Sequence, residues 1–145
     1  METKLVRIAE TSATSKHPIF TSVYHLINED MLKQCHKELD GNKAVGIDKV
    51  TKDEYGKNLD RNIKELVQRL KNKSFKPLPS LRVYIPKGNG KKRPLGIASY
   101  EDKIVQMAVK KILGAIYEPR FLNCMYGFRS NRGCHEAIKE VYQRI

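Results

Sequence analysis

No window of this sequence approaches the roughly 18 consecutive apolar residues of a membrane span. The opening stretch, "METKLVRIAETSATSKHPIF", lacks the continuous apolar core of a secretory signal, so neither a membrane anchor nor export is expected. Cysteine is scarce: Cys35, Cys124 and Cys134 are far apart and form no CxxC pair. That argues against a disulfide framework or a zinc site and predicts reduced, partly buried thiols in a cytoplasmic protein. GxSxG, HExxH and GxxxxGK[ST] are all missing, which removes the common hydrolase, zinc-protease and P-loop chemistries. There is no Asp-x-Asp or Asp-Asp pair to converge on two metal ions, and His17, His25, His36 and His135 have no ligand-like spacing. Neither a catalytic residue nor a metal ligand is assigned to this chain.

Acidic residues are missing in a more pointed way. Residues 66–100 contain nine Lys/Arg and not one Asp or Glu, whereas residues 1–65 balance eleven of each sign. Most of the net charge of +12 is therefore focused in one short segment. A solvated charged face is the ordinary reading of a basic run. Focusing on this scale, in a chain that mixes signs elsewhere, points instead to a polyanion, either nucleic acid or a nucleotide's phosphates. The length of 145 residues, 40% hydrophobic and 30% charged, suits one soluble domain or a piece of a larger one.

The pattern predicts an α+β fold, mostly helical, with a basic antiparallel β-hairpin. Residues 1–20 show no clear period and read as a loose arm. Val23, Leu26, Ile27, Leu32, Cys35 and Leu39 form an imperfect helical stripe, with Gly41 as its stop. "TKDE" at Thr51 has the form of a capping box, opening a helix whose Tyr55, Leu59, Ile63, Leu66, Val67 and Leu70 recur at helical spacing to about Asn72. Pro77 and Pro79 forbid helix in "SFKPLPS". In "RVYIPKGNGKKRPLGI", Val83 and Ile85 are expected on one face and Arg93, Leu95 and Ile97 on another, about a Gly88-Asn89-Gly90 turn. Pro86 and Pro94 lack ladder donors, which suits edge strands. Ser99 caps a strong helix to Tyr117, with Glu101 and Asp102 placed to offset its dipole. The irregular "RFLNCMYGFRSNRG" leads to a last helix carrying Ala137, Ile138, Val141, Tyr142 and Ile145. That helix stops on an apolar residue without a cap, so a chain cut from something longer is expected.

Lys87 and Arg93 flank the hairpin turn, with Lys91, Lys92 and glycine N–H groups between them. An arginine fork, a lysine point charge and free backbone donors suit a triphosphate. The same description fits the basic ribbons of many ribosomal and DNA-binding proteins. On the residues alone both readings stand.

Three blocks in order, "RVYIPKGNGKKRPLGI", "ASYEDKIVQMAVKKILGAIYEPRF" and "MYGFRSNRGCHEAI", closely resemble the amino-terminal part of group II intron reverse transcriptase/maturases. "AVGIDKVTKDEYGKNLDRNIKELVQRLKNKSFKPLP" resembles the segment before them. The resemblance implies an N-terminal arm and helix over residues 1–43. It implies the fingers of a right-hand polymerase over residues 44–145, without palm or thumb. It further implies that Lys87 and Arg93 hold the triphosphate of an incoming dNTP, and that Gly46, Lys49, Arg82, Lys91, Lys92, Arg129 and Arg132 lie along nucleic acid, with Phe128 packing. Lys49 departs from the family pattern, which has glycine after "GID". The implied partners are template or intron RNA and a DNA primer. The implied cofactor is Mg²⁺ held by palm aspartates, which this chain lacks, so the chain by itself is expected to be inactive. A non-catalytic RNA-binding remnant, or a retron or diversity-generating reverse transcriptase, is the alternative.

Overall fold

The computed structural model describes residues 2–88 and 90–144, so Asn89 of the hairpin turn and Ile145 of the last helix lie outside the described residues. The fold is α+β, 54% helical, with one two-stranded antiparallel sheet. The chain divides into two compact units, Thr21–Lys110 and Met1–Phe20 with Lys111–Ile145. Among the described residues no helix is long and apolar enough to cross a membrane.

In the larger unit the helix expected from the stripe Val23 to Leu39 is shorter. Tyr24–Leu26 is a 3₁₀ turn, and α2 begins only at Glu29–Glu38, where the Asn28 side chain accepts from the Met31 N–H at 3.0 Å. An Asn cap with Glu29 and Asp30 in the first turn outweighs a continuous stripe. The capping box forms as expected: Thr51 Oγ1 accepts from Glu54 N (3.2 Å), and Glu54 Oε2 accepts from Thr51 N (2.9 Å). The helix it opens is interrupted, however. α3 spans Lys52–Lys57 and α4 spans Leu59–Lys71, with Asn58 closing one and opening the other. The break turns Tyr55 and Ile63 to the same core as Met31, Leu32, Cys35, Leu66, Val67 and Leu70. Each such side chain contributes roughly 1.5–3 kcal/mol by leaving water.

β1 (Leu81–Pro86) pairs with β2 (Lys92–Ile97). Val83 stands opposite Leu95, Ile85 opposite Arg93 and Leu81 opposite Ile97, so the two apolar sets share one face rather than occupying two. Directly opposed residues of an antiparallel pair project to the same side, and the turn length fixes that register. α5 (Tyr100–Tyr117) starts at Ser99, whose Oγ accepts from the Asp102 N–H at 3.2 Å. Its buried stripe is Ile104, Ala108 and Ile112, while Val109, Leu113 and Tyr117 are exposed.

In the smaller unit residues 1–20 are not a loose arm: Glu2–Thr14 is a helix, α1. Its ties come from far away in sequence. Ser12 Oγ donates to the Ile116 carbonyl, and the Arg120 guanidinium donates to the carbonyls of Ser12, Ser15 and Lys16 at the helix's C-terminal end. A cation satisfying orphan carbonyls where the dipole is negative stabilises a helix that lacks a local stop signal. Glu118–Arg120 forms a 3₁₀ turn, residues 121–133 are irregular, and α6 is Cys134–Arg144. Cys35 is buried, whereas Cys124 and Cys134 are exposed; none of the three is in a disulfide.

Candidate nucleic-acid interface

The hairpin is exposed along nearly its whole length, including Val83, Tyr84 and Leu95. Its turn is built by the Gly90 N–H donating to the Lys87 carbonyl (3.1 Å) and the Lys87 N–H donating to the Lys91 carbonyl (2.6 Å). Gly90 sits at φ +74°, in the left-handed region that a three-residue hairpin loop needs at its last position. The Lys87–Lys91 bond extends the ladder by one pair. It makes Lys87 and Arg93 diagonal neighbours on one face, a spacing of roughly 7–8 Å in ordinary sheet geometry. Arg82 and Lys92 have the opposite parity and stand on the other face. The ribbon is therefore two-sided in its charge. Among the described residues Arg82, Lys87, Lys92 and Arg93 make no ion pair.

The "GID" segment forms a turn in which the Lys49 N–H donates to the Gly46 carbonyl at 3.1 Å. Lys49 has φ +57°, so it takes the left-handed conformation that a glycine adopts without cost. Gly46 is itself buried. A Cβ there would lie 2.6 Å from Ser99 Cα and 2.8 Å from the Ala98 carbonyl, so glycine is needed for a close approach of backbones. Lys49 and Ile47, not Gly46, are what the turn presents to solvent. Lys103 Nζ donates to the Ala44 carbonyl and ties the same loop to α5. An open cleft of about 510 Å³ beside the turn is lined by Asp48, Lys49, Glu54, Tyr55, Glu65 and Glu101 among others, and Asp48 Oδ1 is buried there without a partner.

Under the turn lies a polar hub. Glu101 accepts from Arg69 Nη2 at 2.7 Å on both oxygens and from the Tyr55 hydroxyl at 3.0 Å. Burial, and secondarily Glu101, holds the Tyr55 phenol far above its ordinary range. The Tyr100 hydroxyl lies 2.9 Å from His36 Nδ1, and burial pushes that phenol up to about 12. His36 is shifted down, first by burial and then by the charge of Lys52. Glu101 and Asp102 thus do more than face a helix dipole. Arg69 lies 32 residues before Glu101, and no local pattern announces the pair.

Arg129 and Arg132 differ from the ribbon cations. Arg129 bonds Glu118 Oε1 at 2.8 Å and the carbonyls of Leu122 and Met125 at 3.0 Å, and its side chain is only 8% exposed. Arg132 donates to the Asn123 carbonyl and covers the Tyr126 ring. Both guanidinium groups are engaged inside their own loop. Phe128 is fully exposed at φ +59° and packs on nothing within the described residues, contrary to the expectation that it is a packing residue.

No protein-family model matches the chain. It is 37% identical over 139 residues to the group II intron-encoded protein LtrA of Lactococcus lactis, covering 94% of this chain and 23% of that protein. An uncharacterized 91 kDa protein in the cob intron of Schizosaccharomyces pombe is 38% identical over 81% of the chain, and Escherichia coli YkfC is 42% identical over 70%. The chain spans 14% and 26% of those two relatives.

Proposed function

Over nearly its whole length this chain is a relative of a group II intron-encoded protein, matching a small N-terminal portion of it, and on that premise we propose that it forms the fingers of an RNA-directed DNA polymerase that also serves as a maturase. The observation that carries the reading is the ribbon: Arg82, Lys87, Lys92 and Arg93 stand exposed on a two-stranded projection and make no ion pair among the described residues, whereas Arg69 on α4 is paired with Glu101. Lys87 and Arg93, diagonal on one face, hold the triphosphate of an incoming dNTP, the guanidinium as a fork and the ammonium as a point charge. Arg82 and Lys92 on the other face, joined by Lys49 of the "GID" turn and by Lys91, which shares the face of Lys87, meet the phosphates of template or intron RNA paired to a DNA primer. Arg129 and Arg132 act by shaping the loop that follows the template, Arg129 through bonds to Glu118, Leu122 and Met125 and Arg132 through the Asn123 carbonyl and the Tyr126 ring.

The residues described here do not fit a two-Mg²⁺ site. Glu54 is held by Thr51, Glu101 by Arg69 and Tyr55, and Asp102 by Ser99, and no group of three His, Cys, Asp or Glu among the described residues could hold a metal ion. No chemical step is therefore assigned to this chain; Mg²⁺ belongs to the proposal for the larger protein. The test is binding of a single-stranded RNA oligonucleotide to this chain at rising salt. Phosphate contacts release counterions, so log affinity should fall against log salt with a slope of about −2 or steeper. The pair Lys91→Ala and Lys92→Ala should flatten that slope by about 1.4, at roughly 0.7 per phosphate contact on a single strand. A slope near zero overturns the reading.

A further inference from the structure

The chain entering the ribbon and the chain leaving it meet at one buried carboxylate, and the start of the "GID" turn lies against the second of them. Asp102, in the first turn of α5, is 4% exposed. Its Oδ2 accepts from Ser99 Oγ at 2.7 Å and from the Leu78 N–H at 3.1 Å. Ser99 follows the last residue of β2 by two positions, and Leu78 precedes the first residue of β1 by three. Leu78 lies between Pro77 and Pro79, neither of which has an N–H, so its amide is the one backbone donor in that triplet. The third strand of chain at this point is Gly46, whose missing Cβ lets it lie against Ser99.

We propose that Asp102 is a positioning residue for the basic ribbon: one carboxylate oxygen fixes the chain entering β1 and the chain leaving β2, and so sets the direction in which Lys87 and Arg93 project. The inference deepens the polymerase reading and rests on it for its function, though not for its geometry. An exposed two-stranded ribbon has little packing of its own to hold its angle, and an isolated hairpin is at best marginal. A charged acceptor bridging its two roots supplies that constraint from the rigid end of a helix. The bond to Leu78 is charge-assisted and partly sheltered from water on its Asp102 side, which makes it stronger than a fully exposed amide–carboxylate contact.

The experiment is amide hydrogen exchange on the whole chain, run alongside RNA-oligonucleotide affinity, for Asp102→Asn and for Leu78→Pro. Leu78 is half exposed, so Leu78→Pro deletes the donor with little loss of packing and leaves α5 and its cap untouched. In Asp102→Asn the Leu78 amide and the amides of β1 and β2 should exchange at least about tenfold faster, while those of Ile104 and Ala108 hold their protection. In both variants Lys92→Ala should cost less RNA affinity than it does in the parent chain, because a side chain on a ribbon already misdirected has less to lose. Unchanged ribbon exchange overturns the positioning role whatever the RNA result. Uniform acceleration across α5 also overturns it, since Asp102 would then be an ordinary stabilising residue. Faster ribbon exchange with no RNA affinity in the parent chain would instead count against the polymerase reading and leave the geometric role intact.

Discussion

Two sets of arginines and lysines, equal in the eyes of a charge count, lead different lives in this molecule. On the ribbon, Arg82, Lys87, Lys92 and Arg93 stand in solvent without ion pairs among the described residues. In the loop before α6, Arg129 spends its donors on Glu118 and two carbonyls, and Arg132 spends one on the Asn123 carbonyl while covering a tyrosine ring. A cation whose hydrogen bonds are already made has little left for a phosphate. A cation that repels its neighbours is stabilised as soon as an anion arrives. The first set is the one proposed above as a binding surface, and the second builds the loop.

The sharpest way to break this contrast is to reverse the ribbon's charge. Arg82→Glu with Lys92→Glu should lower RNA affinity at low salt by about a hundredfold or more and leave the melting temperature within a degree or two. Retained affinity would mean that the ribbon is not the surface. Arg129→Ala is the converse. Removing a nearly buried guanidinium with three acceptors should cost about 2 kcal/mol of stability, read by denaturant unfolding, with RNA affinity of the folded protein little changed. A large affinity loss without destabilisation would move Arg129 to the binding set. The smallest effect separates the two regions by pH. Lys and Arg keep their charge through mildly acid solution, so ribbon binding should be level there. His36, however, has a folded pKa below its ordinary 6.5, so the unfolded chain binds more protons than the folded one in that window. Stability is full above about pH 6.5 and falls as pH drops toward the depressed value, and His36→Gln should flatten that fall. A parent chain equally stable across the window would remove His36 from the account.

What could be read from the residues was local. The Thr51–Glu54 box, the Ser99 cap, the proline-barred segment and the hairpin each rest on a few adjacent side chains, and each is present. What escaped depended on distant partners. α1 has no clean stripe and is completed by Arg120, more than a hundred positions away. Asn58 breaks a pattern that looks continuous, because the core decides where Tyr55 turns. The face shared by Val83 and Leu95 follows from register, which a single strand's alternation does not contain. Lys49 stands where the family pattern has glycine, and its positive φ shows that the turn keeps the glycine-like shape with a lysine in it. The one local clue passed over was Pro77-Leu78-Pro79: a lone amide between two prolines needs an acceptor, and Asp102 supplies it.

The three cysteines provide a clock with two hands. Cys124 and Cys134 lie at the surface of the smaller unit, where an alkylating reagent meets them at once. Cys35, wholly buried in the core of the larger unit, reacts only when that core opens. Two fast modifications followed by one slow one would therefore time the opening of the helical core from within the native sequence, without a label or a substitution.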